Sequence, residues 1–257
     1  MELTVIGSSS SGNGYVLRAS GGEAVIIECG MPLQLVKKAV GYRVSDIKGI
    51  IVTHEHGDHA GRCREYLDDL TAPMFMSAGT WEAISGRCKA RRKPDKASHL
   101  CEIRCGGFRI APLLLESANG NLTHDAAEPM CYYIDHEEMG SLLFVTDSYC
   151  LPYRIKGLYH LVIECNYDSD ILEERYEQGL IDPKRRARTI ESHLSYQNCL
   201  HELGDIDLKD VLNIVLVHIS ADNGNVARFV GGVGMLTHKR VFAASEGLKF
   251  KLNKEPF

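Results

Sequence analysis

The sequence predicts an α/β protein in which two packed β-sheets are flanked by helices. Two observations carry this. Short β-rich runs alternate with helical runs along the whole chain, with no linker and no internal repeat, and the strands fall into two groups. A chain of 257 residues is one large α/β domain or two small ones, and the unbroken alternation favours a single domain spanning residues 1–257.

The elements follow in order. Leu3–Ile6, Tyr15–Arg18 and Ala24–Glu28 are β-rich runs separated by Gly and Ser turns. Leu33–Val40 has a helical pattern, Gly49–Thr53 is a strand, and Ala60–Leu70 is the helix behind it. Pro73–Met76 is a strand and Thr80–Ser85 a short helix, followed by a polar loop or insert from Gly86 to Ser98 that could act as a lid. Phe108–Leu115, Cys131–Asp135, Leu142–Thr146 and Leu161–Glu164 return as strands. A charged helix near Ile171–Gln178, a helix at Ser195–Leu203, a buried strand at Asn213–His218 and a last strand at Val241–Ala244 complete the series.

Composition excludes several classes. No stretch is long and apolar enough to cross a bilayer, and the first residues read as a strand and not as a signal peptide. The nine cysteines are scattered without any C-x-x-C pair, which points to free thiols and a cytoplasmic location. A net charge of −5 argues against a protein that coats nucleic acid non-specifically. Two basic runs stand out locally, residues 87–93 and 184–188. A solvated loop accounts for the first equally well. The second sits just before His193, where a phosphate-bearing substrate is the natural reason for the charge.

The most informative run is Thr53-His54-Glu55-His56-Gly57-Asp58-His59, directly after Ile50-Ile51-Val52. Alternate residues of an extended stretch face one way, so His54 and His56 can grip one divalent ion. Asp58 and His59 fall where a helix would begin and can turn toward a second. Downstream, His124 precedes a strand, and Asp147 and His218 each end one. Singly, His124 or His218 would more often be an ordinary buried or capping histidine. Together, at successive strand ends, they form a set.

This H-x-H-x-D-H motif with its downstream partners resembles the metallo-β-lactamase superfamily, whose fold is a four-layer αββα sandwich. The resemblance implies two divalent ions, zinc or manganese. His54, His56 and His124 would bind one, Asp58, His59 and His218 the other, and Asp147 would bridge them. Relatives carry Asp-x-Gly after the third strand, whereas this chain has Glu28-Cys29-Gly30. Glu28 is then expected to orient a metal-bound histidine, with a longer side chain than usual.

A narrower resemblance joins these motifs with Gly7–Asn13, residues 80–84, Glu191-Ser192-His193-Leu194-Ser195 and residues 218–223. Together they look like the YycJ/WalJ branch, which is linked to DNA exonuclease activity and has a site similar to that of RNase Z. It implies a nuclease of the 5′–3′ DNA exonuclease type, with Asp58, His193 and Glu164 catalytic. His193 would open a helix and, paired with Glu164, assist the leaving group. Alternatively, His193 is a surface residue beside a capping Ser192. Ser195, Arg185, Arg186 and Arg188 are candidates for substrate phosphate. The rival resemblance is to phage anti-Pycsar phosphodiesterases, which degrade cyclic nucleotides. A thioesterase or lactamase would need neither the His193–Glu164 pair nor the basic run, and a non-catalytic scaffold would be expected to have lost ligands. Relatives of this kind often complete their sites from a second subunit, which leaves a homodimer open.

Overall fold

The computed structural model describes residues 1–255. The first half of the chain lays down β1 (Glu2–Ser9), β2 (Gly12–Arg18), β3 (Ala24–Ile27), α1 (Leu33–Ala39), β4 (Ile47–Ile51), α2 (Gly57–Ala60), α3 (Cys63–Asp69), β5 (Met74–Met76), α4 (Ala78–Ser85) and β6 (Asp95–Lys96). The second half supplies β7 (Ile103–Cys105), β8 (Phe108–Leu114), β9 (Met130–His136), β10 (Gly140–Val145), β11 (His160–Glu164), α5 (Ser169–Glu177), α6 (Pro183–Ser192), α7 (Tyr196–Gly204), β12 (Asn213–Val217), α8 (Val226–Thr237), β13 (Arg240–Ala243) and β14 (Lys249–Lys251).

Two seven-stranded sheets result, ordered β14-β1-β2-β3-β4-β5-β6 and β13-β12-β11-β10-β9-β8-β7. In each, an antiparallel part gives way to a parallel part, β3 to β6 in the first and β10 to β13 in the second. The final strand returns to pair with β1, Leu3 opposite Phe250.

Side chains alternate across each strand, and both faces are apolar. On β3, Val25 and Ile27 point between the sheets, where they join Val5, Ile110, Tyr132, Phe144 and Val215. Ala24 and Ile26 point the other way, onto Leu33 and Val36 of α1 and Tyr66 and Leu67 of α3. The outer face of the second sheet is covered likewise by Cys199 and Leu203 of α7 and Phe229 and Val233 of α8. Helix, sheet, sheet, helix is the predicted αββα arrangement. Among the described residues, no helix is long and apolar enough to cross a membrane.

Several expectations need correction. The second basic run, residues 184–188, to which no element was assigned, lies in helix α6: Asp182 caps it by accepting from the backbone of Lys184 and Arg185, both at 3.0 Å, and Pro183 occupies the first turn. His193 therefore closes α6, and α7 begins beyond it, with Ser195 as its N-cap. Helix α8 and strands β6, β7 and β14 had no counterpart in the predicted elements, and β6 pairs with β5 inside the segment read as a loop. The segment 86–98 is stitched to the end of α3. Arg92 donates to the carbonyls of Leu67, at 2.8 Å, and of Leu70, while the Arg91 backbone donates to Asp68 at 2.7 Å. Those anchors suit a fixed loop better than a lid.

Candidate metal centre

The carboxyl ends of β3, β4, β10, β11 and β12 point to one rim of the sandwich, as open α/β sheets commonly place their sites. Glu28, Asp147 and His218 follow β3, β10 and β12 there. All three have left-handed backbone angles, φ 71°, 51° and 55°, unusual for residues other than glycine. The chain breaks sharply out of each strand, turning these side chains inward. Gly30 allows the Asp58 backbone to close on the same rim, since a Cβ there would collide with the Asp58 carbonyl.

His54, His124 and His218 each have one nitrogen hydrogen-bonded to the protein, which leaves the other for an ion. The Thr53 hydroxyl donates to Glu28 Oε1 at 2.6 Å and so accepts from His54 Nδ1 at 2.9 Å. His54 Nε2 is then buried without a partner. His124 Nδ1 donates to the Ser192 carbonyl at 2.9 Å, and His124 Nε2 faces His56 Nδ1 at 3.1 Å. His59 Nδ1 lies 3.3 Å from Glu28 Oε1. His218 Nδ1 lies 3.0 Å from Glu164 Oε1.

Donor atoms of His54, His56 and His124 all lie within 4.8 Å of one another, as do those of Asp58, His59 and His218. Asp147 sits between the two sets, its carboxylate 3.1 Å from His59 Nε2 and 3.3 Å from His218 Nδ1. An orphaned buried imidazole nitrogen, oriented tautomers and two converging donor sets fit a pair of divalent ions. All seven residues of the expected set are brought together. Glu28 reaches both Thr53 and His59 despite its extra methylene.

Without cations, protons balance the charge. Burial opposes a charge on His59 and His218, yet Asp147 and the other carboxylates outweigh it. His59 is raised well above its usual value and His218 to about 10. On the other side, burial and the neighbouring imidazoles hold His54 well below the usual value, so it stays neutral. Asp147 is held well below the usual carboxylate range, the surrounding histidines outweighing its burial.

His193 joins the rim from α6. Its Nδ1 lies 2.8 Å from Glu164 Oε1 and 3.3 Å from Asp147, and its ring centre is 5.3 Å from that of His218. Burial works against its charge, but the Glu164 carboxylate wins and raises its pKa. Glu164 thus supports His193 and His218 together. The cleft in front, about 430 Å³, is lined by His56, Asp58, Asp147, His193 and His218, and by Arg185, Arg188 and Thr189 of α6.

Two phosphate candidates fall away from it. Ser195 is 2% exposed, and its hydroxyl accepts from the Asn198 backbone at 3.1 Å as the cap of α7. Arg186 turns to the far side of α6, donating to Glu173 at 2.6 Å and lying over the Tyr176 ring.

Three supporting residues were not foreseen. Asn13 is fully buried, with its amide nitrogen 3.2 Å from Asp58 Oδ2 and 3.0 Å from His59 Nε2. Asn166 donates to the His218 carbonyl at 2.8 Å. The Ser8 hydroxyl accepts from His218 N at 2.9 Å. For Ser8 and Asn13 the signal was present, since both belong to the Gly7–Asn13 motif. Asn166 lies two residues beyond Glu164, with nothing in the sequence to mark it.

The comparisons agree with this geometry. Residues 9–98 match the model of the metallo-β-lactamase superfamily. The metallo-β-lactamase fold protein YhfI of Bacillus subtilis superposes with a TM-score of 0.69 at 18% identity, covering 97% of this chain and 99% of its own. The family match covers the part of the chain that carries the run from His54 to His59, which is similar there to the metallo-β-lactamase superfamily. The exodeoxyribonuclease YycJ of Bacillus anthracis is 24% identical over 258 residues, spanning 97% of this chain and 94% of the relative. The anti-Pycsar protein Apyc1 of Bacillus phage 010DV004 is 28% identical over 116 residues, 38% of this chain and 44% of the relative.

Proposed function

We propose that this protein is a metal-dependent phosphodiesterase of the metallo-β-lactamase type acting on nucleic acid, most simply a DNA exonuclease working from the 5′ end, built as one domain over its whole length. The single observation that carries this is the Glu164–His193 pair beside the donor sets: a carboxylate-held imidazole with its second nitrogen toward the cleft. A thioester has little need of it, since thiolate leaves without a proton. Phosphodiester cleavage needs it, because the leaving oxygen takes a proton. Full-length similarity to an exodeoxyribonuclease supports the same reading.

His54, His56 and His124 would hold one ion, Asp58, His59 and His218 the other, with Asp147 between them. When bound, such ions supply Lewis acidity and a water acidified enough to ionise near neutral pH. Asp58, steadied by Asn13 and His218, orients the attacking water. His193, kept protonated by Glu164, donates to the leaving oxygen on the opposite side of phosphorus. Five imidazoles among the ligands favour zinc, and the two carboxylates also suit manganese. All nine cysteines are unpaired, in keeping with a cytoplasmic setting.

A second reading, hydrolysis of a cyclic nucleotide, is favoured by the partial similarity to the anti-Pycsar protein. Metal-loaded protein given 5′-defined linear DNA in one arm and cyclic mononucleotides and dinucleotides in the other separates the two, with Asp58→Ala excluding contaminating nucleases. Mononucleotide release from DNA alone is expected. Opening of a cyclic nucleotide with DNA untouched would overturn the nuclease reading.

A further inference from the structure

The cleft has a second charged wall that the hydrolytic chemistry does not use. Arg185, Arg188 and Thr189 lie at i, i+3 and i+4 on α6, so they share the face that lines the cleft opposite the metal-binding rim. Each arginine is held by one carboxylate at the cleft mouth. Arg185 meets Asp222 at 3.4 Å, and Arg188 donates to Asp125 at 2.8 Å. All four side chains are between 42% and 62% exposed, so these pairs are weak and exchangeable. Arg186, between them in sequence, faces away and is committed to Glu173 and Tyr176.

The position of Arg188 fixes its reach. Asp125, its partner, is also 3.5 Å from His124 Nε2 and 3.8 Å from His56 Nε2. The guanidinium is thus one carboxylate removed from the first donor set, and with Arg185 it extends the cleft's positive charge along α6 away from that set, where the next phosphate along a strand would lie. Ser10 and Ser220 line the same cleft and offer hydroxyls. A guanidinium prefers a phosphate to a carboxylate where bidentate contact is open to it.

We infer that Arg185 and Arg188 form a phosphate subsite adjoining the hydrolytic centre, which selects substrates carrying a second phosphate next to the scissile one. The inference rests on the phosphodiesterase reading and narrows it. A cyclic mononucleotide has a single phosphate, which the metal rim takes, and leaves the arginines without a ligand. A nucleic-acid strand satisfies both places. On binding it, Arg188 exchanges Asp125 for phosphate, and Arg185 exchanges Asp222.

The test compares wild type with an Arg185→Gln/Arg188→Gln variant and with each single variant, all checked for unchanged melting temperature. The substrates are a 5′-phosphorylated single-stranded oligonucleotide and the p-nitrophenyl ester of thymidine 5′-monophosphate, which has one phosphate. Removal of both contacts is expected to raise KM for the oligonucleotide by about 10–100-fold, with kcat little changed, and to lower kcat/KM for the ester at least tenfold less. Binding of a 3′-labelled oligonucleotide to metal-chelated protein gives an independent readout. Its log–log salt slope should fall by roughly 0.7 in the double variant, the change for one phosphate no longer neutralised on a single strand. Equal losses on both substrates, or an unaltered salt slope, would overturn the subsite. If wild type turned over neither substrate, the phosphodiesterase reading would fail, and the salt slope alone would still decide whether the arginines bind phosphate.

Discussion

An acceptor for the proton on one imidazole nitrogen fixes the tautomer and orients the other nitrogen toward a divalent ion. Here the acceptors are Glu28, Thr53, Ser192 and Glu164, and the two glutamates do most of it. Glu28 accepts from the Thr53 backbone and hydroxyl and faces His59, so one carboxylate orients a histidine of each set. Glu28→Gln keeps the shape but replaces an acceptor by a donor. Affinity for the metals should drop by roughly 10–100-fold, read by competition with a chelator, with the fold retained. Unchanged affinity would remove Glu28 from the support of the site. His193 ligates neither ion in the proposed scheme, so His193→Ala should separate the two properties. Turnover should fall by about 10²–10⁴-fold while metal content by atomic emission stays at the wild-type level. A fully metallated variant with undiminished turnover would exclude His193 from the chemistry.

At the scale of elements, legibility followed the strength of the periodic signal. Strands such as Ala24–Ile27 and Asn213–Val217 are buried throughout, and their continuous apolar runs mark them. The ligands at their ends were legible only as a set: His124 or His218 alone reads as an ordinary histidine, whereas the H-x-H-x-D-H run with Asp147 and both of them follows the pattern that the resemblance implies. Helix α8 was not legible: Gly231, Gly232 and Gly234 interrupt it, and glycine costs a helix about 1 kcal/mol each. What holds it is packing. Phe229 and Val233 are buried one turn apart, and the Tyr196 ring of α7 stacks on Phe229 with centroids 4.9 Å apart. Helix α6 was missed for the opposite reason, since Lys184-Arg185-Arg186-Ala187-Arg188 offers no apolar stripe and only its Asp182-Pro183 start marks it. The glycines of α8 give a paired test. A Cβ on Gly232 would meet the hydroxyl of Tyr196, whose ring is pinned by Phe229 and Arg228, whereas Gly231 has open space. Gly231→Ala should therefore stabilise the protein by up to ~1 kcal/mol. Gly232→Ala should lower the melting temperature, the overpacking cost of about 1–3 kcal/mol exceeding the propensity gain. Equal shifts in the two variants would remove Tyr196 as the reason for Gly232.

For the molecule as a whole, the rim opposite the site contributes to acid stability through a group remote from the chemistry. His160 opens β11, is fully buried, and has Nδ1 3.1 Å from the Asn213 amide of the neighbouring strand. Burial lowers its pKa from 6.5 to about 4; the Met139 carbonyl opposes the shift, and the Met1 ammonium adds to it. Between these values the unfolded chain binds a proton that the folded protein refuses. Stability must then rise with pH through this window and be lost as pH falls from 6.5 toward 4. The loss amounts to ~3 kcal/mol for a shift of this size. Burial also lowers His54 and His124 at the site, so the contribution is isolated by difference. Urea denaturation of metal-chelated wild type and His160→Gln should give curves that converge as pH falls from 7 to 4, the variant losing less. Parallel curves would show that His160 is protonated equally in both states, and the acid sensitivity would then belong to the site rim alone.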